Sequence, residues 1–172
     1  IVGLRPGLKC WFTADPAWVT GTSYGILGSL STGADILVAE PGYRISQVLG
    51  LLDRYNIEIW YTAPTLLRML MREDPAKAKE YDLRYLKKIF SAGEALNPEV
   101  CRWAEDNLGL TVYNHWFQTE TGSIIIGYDG TFPKKGYDTM GKVLVDVEAE
   151  ILDEDFNPPP PGGKGHLALK PS

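Results

Sequence analysis

Two periods of apolar positions alternate along this chain. Short apolar runs at 10–13, 34–39, 57–63, 86–93 and 110–116 have the length of strands. Between them, residues 45–55 repeat apolar side chains at helical spacing, with Ile45, Val48, Leu49 and Leu52 on one face. Pro64 fits the first turn of a helix running to 73, and Asn97, Pro98 and Glu99 supply an N-cap, a first-turn proline and a first-turn carboxylate for a helix ending at Gly109. Residues 18–30 carry Gly21, Gly25 and Gly28 at three- and four-residue intervals, which predicts a helix that lets another backbone approach closely. The run 34–39, bounded by Gly33 and by Pro41 and Gly42, reads as a buried strand.

After residue 140 the pattern changes. Val143, Val145, Val147, Ala149 and Ile151 alternate with a largely charged face, then a turn rich in Pro and Gly leads into 166–170. This predicts an antiparallel hairpin joined to the α/β part, with four consecutive prolines as a rigid connection. The expected fold is therefore α/β: a mostly parallel sheet with flanking helices over 1–140, plus a C-terminal antiparallel β-hairpin over 141–172.

Composition narrows the function. With 172 residues, 44% hydrophobic and 11% aromatic, the chain is long enough for a real core, and the missing initiator Met suggests a piece excised from something larger. A net charge of -5 with scattered Lys and Arg argues against nucleic acid. No run of 18 or more apolar residues predicts a membrane span, and no signal peptide is evident. Cys10 and Cys101 form no CxxC, so a reducing cytoplasm is expected. Two Cys and two His far apart do not suit zinc.

In an open α/β sheet, ligands gather beyond the carboxyl ends of the strands. Four stretches leave strands there: WVTG (18–21), TAPT (62–65), SAGEAL (91–96) and NHWFQTETG (114–122). Gln118, Thr119, Glu120, Thr121 and Gly122 combine hydroxyls, one carboxylate and a hinge. That composition suits nucleotide phosphates with a shared Mg2+, and it suits an ordinary polar loop as well. Gly93 puts a residue of free backbone angles where a flat ring could slide against the chain, or where a plain strand-to-helix turn is needed. His115 reads as a hydrogen-bonded wall residue rather than a general base. Trp11, Trp18, Trp60, Trp103 and Trp116 read as core.

Taken together, FTADPAWVTGTSYGILGSLSTGA, YTAPTLLRML, SAGEALNPE and WFQTETG, in that order, make the chain resemble the acyl- and acetyl-CoA synthetases of the adenylate-forming superfamily. The resemblance implies ATP/AMP, CoA and Mg2+ as cofactors and a small carboxylate as substrate. It places Gly93, Glu94 and Ala95 along the adenine, with Asn114, His115, Trp116, Phe117 and Gln118 continuing round the nucleotide. Thr119 then falls at the α-phosphate and Glu120 at Mg2+, the two expected catalytic residues. Val19, Thr20, Ala92 and Phe117 would border the acyl group, and Thr20 would also lie by the route of the CoA thiol.

Acetate-specific members usually carry Trp at the position of Phe117 and Val at that of Ala92, which implies a short acid such as acetate, propionate or a slightly larger or branched one. Asn114 and His115 also depart from the Asp and Thr of the acetyl enzymes. The phosphate loop expected upstream, and the ribose-binding Asp, hinge and C-terminal domain expected downstream, are not among these 172 residues, so the segment alone is expected to turn over no substrate. An adenylating enzyme that serves a carrier protein and a non-catalytic nucleotide-binding relative are the alternative readings. The sequence is silent on oligomeric state.

Overall fold

Strands and helices alternate as the periodicity predicts. The structure, a computed structural model, describes residues 1–40, 44–128 and 136–170. Strand β1 (Lys9–Phe12) leads through a loop into a π-helix (Thr20–Gly28), which continues as α1 (Ser29–Thr32) and returns as β2 (Asp35–Leu37). Then follow α2 (Ile45–Arg54), β3 (Ile59–Thr62), α3 (Pro64–Met71), α4 (Pro75–Ala78), β4 (Lys88–Ser91), α5 (Pro98–Leu108) and β5 (Val112–Trp116). Short strands β6 (Ile126–Gly127) and β7 (Lys142–Val143) precede β8 (Ala149–Leu152) and β9 (His166–Leu169).

The main sheet has the order β2-β1-β3-β4-β5-β6-β7. Its first five strands are parallel, whereas β6 and β7 add antiparallel. β8 and β9 form the separate antiparallel hairpin, while Lys142–Val143 joins the main sheet. The alternation across 143–151 does not make a buried face, since Val143, Val147 and Ile151 are all exposed.

Because side chains alternate across each strand, the sheet has two apolar faces. Trp11, Trp60, Ile89 and Val112 point to the face covered by α2, α3 and α5, where Val48, Leu52, Leu67, Val100 and Ala104 meet them. Trp11 and Trp60 stack there with centroids 6.4 Å apart, and each such buried side chain contributes about 1.5–3 kcal/mol. On the opposite face Phe12, Tyr61 and Phe90 occupy adjoining positions of three paired strands, and their rings stack at 5.2 and 5.8 Å. This aromatic row ends beside the π-helix.

The π-helix is pressed onto β1 as its glycines predict. A Cβ at Gly21 would lie 2.3 Å from the Asp15 carbonyl oxygen, and one at Gly25 would lie 3.0 Å from the Phe12 Cβ. Three expectations need correction. Trp116 is not core but half-buried at the end of β5. The run 34–39 is not a buried strand: β2 pairs only with β1, so Asp35 is exposed and Ile36 and Leu37 are half-buried at the sheet edge. Trp18 is not core but 69% exposed, because it precedes the helix on the loop rather than facing the sheet. The Pro41–Gly42 boundary lies outside the described residues.

Candidate functional site

Parallel pairing of β1, β3, β4 and β5 brings their carboxyl ends to one side of the sheet, and two adjoining cavities open there. The larger, of about 650 Å³, takes Trp18 and Val19 from just before the π-helix, Thr20 from its first position, and Thr62, Ala63 and Thr65 from the exit of β3. Ala92, Gly93 and Glu94 beyond β4, and Phe117, Gln118 and Thr119 beyond β5, complete its wall. All four stretches singled out as strand exits therefore meet at one cavity. The second, of about 580 Å³, is bordered by Gly93, Glu94, Ala95 and Leu96 on one side and by Asn114, His115 and Trp116 on the other. Residues 137–140 close it. Gly93, Glu94, Phe117 and Gln118 line both, so the two cavities share one waist.

Gly93 carries the waist because its φ of 94° suits glycine and nothing lies within 4 Å of where a Cβ would be. Downstream, Thr119–Thr121 form one turn of 3-10 helix closed by Gly122 at φ 66°. The Thr121 hydroxyl is consumed by that turn: its one O–H lies within reach of the Gln118 and Ser123 carbonyls at 2.8 and 3.0 Å, and its oxygen accepts from the Gln118 N–H. Thr119 keeps its place on the cavity wall. Glu120 is exposed, lines neither cavity, and accepts no hydrogen bond from the described residues.

His115 is buried on the aromatic face, and both ring nitrogens are used. Nε2 lies 2.9 Å from the Tyr128 carbonyl and Nδ1 3.1 Å from the Tyr61 hydroxyl. A carbonyl only accepts, so Nε2 carries the proton, and in the neutral ring Nδ1 accepts from Tyr61. Burial pushes the Tyr61 phenol far above its ordinary range, which keeps it a donor. The imidazole is thus a structural wall, consistent with the reading from sequence.

Glu94 is held by Thr65 of the TAPT stretch and by Arg68, a residue to which the sequence alone assigns no role. Its carboxylate accepts from the Thr65 hydroxyl at 2.7 Å and pairs with Arg68, which also donates to Thr65. The Thr65 hydrogen bond is the main cause holding its carboxyl below the usual glutamate range; burial opposes it, and the Arg68 hydrogen bond and charge add to the lowering. Thr65 and Arg68 are one turn apart on α3, a spacing visible in sequence. Their meeting with Glu94 depends on the β3–β4 register, in which Thr62 pairs with Ser91, and this is not visible there. Tyr137 on the far wall of the second cavity is fastened by its hydroxyl to Glu105 of α5.

The family profile described as AMP-binding enzyme matches residues 2–171. The chain belongs to the AMP-binding enzyme family. It is 40% identical over 161 residues to the acetyl-coenzyme A synthetase of Bacillus subtilis, covering 93% of this chain and 28% of that protein. To the acetyl-coenzyme A synthetase of Pyrobaculum aerophilum it is 41% identical over 169 residues, covering 93% and 25%. An acyl-CoA synthetase from Brucella canis superposes with a TM-score of 0.88 at 30% identity, over 98% of this chain and 31% of that one. An anthranilate CoA ligase in complex with anthranoyl-AMP shares the fold with a TM-score of 0.88 at 24% identity, over 99% and 32%. The chain thus spans about a quarter of the length of the curated relatives it matches. Among the described residues, no helix is long and apolar enough to cross a membrane.

Proposed function

We propose that this chain forms the central part of the adenylation site of an ATP-dependent acyl-CoA synthetase acting on a short-chain carboxylic acid. The observation that carries this reading is the pair of cavities sharing the Gly93–Glu94 and Phe117–Gln118 waist. One side suits an acyl group, with Val19, Ala92 and Phe117 as apolar wall. The other suits a purine, flanked by the backbone at Gly93–Ala95 and by Asn114, Trp116 and Gln118, with the His115 ring behind. An acyl-adenylate has these two ends joined by one ribose phosphate, and the waist is where that phosphate would lie.

In the first step a carboxylate oxygen attacks the α-phosphorus of ATP. The new C–O–P bond replaces the bond to pyrophosphate, which leaves with its electron pair. In the second step the CoA thiol gives up its proton to solvent and its sulfur attacks the acyl carbon; the acyl C–O bond breaks, and its electron pair leaves on the phosphate oxygen of AMP. The work of the chain is positioning and charge stabilisation, which supply most of the rate in such transfers. Thr119 on the wall would donate its hydroxyl to an α-phosphate oxygen, and Val19, Thr20 and Phe117 would aim the carboxylate along the line of attack. Thr20, at the entrance of the π-helix, would border the thiol approach.

Mg2+ would neutralise phosphate charge when bound. Glu120 fits it as one exposed carboxylate, since Mg2+ keeps waters and takes phosphate oxygens as its other ligands. Among the described residues no group of three or more ligating side chains could hold a metal alone, which suits a cation brought in with the nucleotide. Phe117 and Ala92 leave room for acetate, propionate or a slightly larger or branched acid, differences worth about 1–3 kcal/mol per methylene in an apolar pocket. Cys10 and Cys101 are buried thiols, which suits a reducing cytoplasm.

The test is acid-dependent ATP–pyrophosphate exchange by the full-length protein, comparing acetate, propionate, butyrate, isobutyrate and benzoate. Exchange with at least one of the four short acids is expected. Exchange with benzoate alone, or with none, overturns the reading.

A further inference from the structure

Tyr24 lines neither cavity of the site, yet it touches three of the parts that build it. It lies midway along the π-helix Thr20–Gly28, four positions after Thr20. Its ring stacks parallel to Tyr61 at 6.5 Å and meets Phe117 edge-on at 5.6 Å and 70°. Its hydroxyl oxygen accepts the Ile124 N–H at 2.6 Å. Tyr61 and Phe117 are walls of the larger cavity, and Ile124 is the fully buried residue two positions beyond Gly122, which closes the Thr119–Thr121 turn.

The helix that carries Tyr24 packs closely against β1 and the loop that follows it. Gly21 and Gly25, on either side of Tyr24, sit where added Cβ atoms would strike the Asp15 carbonyl and the Phe12 side chain. Wide π-type windings are rare and recur at functional sites, and this one seats a tyrosine between the sheet and the cavity wall. Phe117 therefore has a rigid ring behind it, and edge-on aromatic contact favours one orientation over others.

We propose that Tyr24 is a specificity-determining positioning residue: its ring fixes Phe117 and so the depth of the acid cavity, while its hydroxyl holds the turn that carries Thr119 and Glu120. This rests on the acid-activating function proposed above and assigns its acid selectivity to a residue outside the pocket lining. Two consequences separate. Loss of the ring deepens the cavity and favours longer acids. Loss of the hydroxyl alone loosens the turn and slows every acid alike.

The experiment compares Tyr24→Leu and Tyr24→Phe in the full-length protein, with circular dichroism and thermal unfolding confirming that both fold. Tyr24→Leu is expected to raise the kcat/KM ratio of butyrate to acetate by about tenfold, while Tyr24→Phe keeps that ratio within about twofold and lowers kcat for all acids together. A folded Tyr24→Leu with an unchanged ratio, or a Tyr24→Phe that shifts the ratio equally, overturns the assignment.

Amide hydrogen exchange at Ile124 is read on the same samples and needs no activity. It is expected to accelerate in Tyr24→Phe, and an unchanged rate overturns the hydroxyl's role. Wild-type protein that exchanges pyrophosphate with no acid defeats the functional reading instead, and with it the claim on cavity depth, while the Ile124 rate still decides the turn contact.

Discussion

The Tyr61 hydroxyl donates to Nδ1 of His115 at 3.1 Å, and Nε2–H of the same ring donates to the Tyr128 carbonyl at 2.9 Å. One imidazole thus ties β3 to β5 and to the chain just after β6, directly behind the cavity wall. Removing its ring nitrogens deletes both of these buried hydrogen bonds. His115→Phe preserves the ring volume against Phe90, which stacks on it at 4.7 Å, but removes both hydrogen bonds and leaves the buried Tyr61 phenol without this acceptor. Such losses cost about 1–3 kcal/mol. Urea unfolding should show a lower midpoint at unchanged slope, and a midpoint equal to wild type would contradict the assignment.

Glu94 gives a pH dependence of definite sign. Its folded carboxyl sits below the ordinary value of 4.5, chiefly through the Thr65 hydrogen bond. A depressed value means stability that is present above 4.5 and is lost as pH falls through the lower folded value. The side chain is 40% exposed, so solvent screening reduces the contribution to a few tenths of a kcal/mol, about the size typical of surface pairs. Wild type should exceed Glu94→Gln by that margin at neutral pH and lose the margin in acid. A margin that grows as pH falls would be the wrong sign.

Phe156 is held at φ 60° and is 82% exposed. The turn enforces this, because the Asp153 carboxylate accepts the N–H groups of Asp155 and Asn157 at 3.0 and 2.9 Å while the Asp153 carbonyl accepts that of Phe156. A left-handed conformation costs a side-chain-bearing residue roughly 1–2 kcal/mol, and glycine escapes it at an entropic cost of about 0.5–1 kcal/mol. Phe156→Gly should therefore stabilise by about 0.5–1 kcal/mol, with Phe156→Ala near wild type because little packing is lost. Thermal unfolding of the three proteins checks this, and a destabilised Phe156→Gly would refute it.

Phe117→Trp adds bulk to the apolar wall of the larger cavity. The ratio of kcat/KM for acetate over propionate should rise about tenfold, the scale on which a pocket discriminates one methylene. Steady-state kinetics on both acids reads it, and an unchanged acid profile would remove Phe117 from the pocket.

The pattern of apolar positions carried the strands and helices well, because it reports which side chains need burial. It also placed the polar strand exits, since in a parallel sheet those ends lie together. Three features were beyond it. The edge position of β2 depends on which strands pair, and the short apolar run at 34–39 looks the same at an edge as in the middle. Trp18 reads as core from sequence because composition does not show that its loop turns away from the sheet. Arg68 with Glu94, and Tyr24 with Phe117, are contacts between segments far apart in the chain, set by register and by the winding of one helix. The N-cap at Asn97 is in the expected place, but its side chain makes no capping bond, and backbone bonds from Val100 and Cys101 to the Asn97 carbonyl start the helix instead.

The most direct measurement is a crystal structure of the full-length protein with a hydrolysis-resistant propionyl-adenylate analogue. The purine should lie between the backbone at Gly93–Ala95 and strand β5 at Asn114–Trp116, with the propionyl group against Val19, Ala92 and Phe117 and the linking group beside Thr119. An analogue bound elsewhere, or with its acyl end in the cavity assigned to the purine, would contradict the assignment of the two cavities.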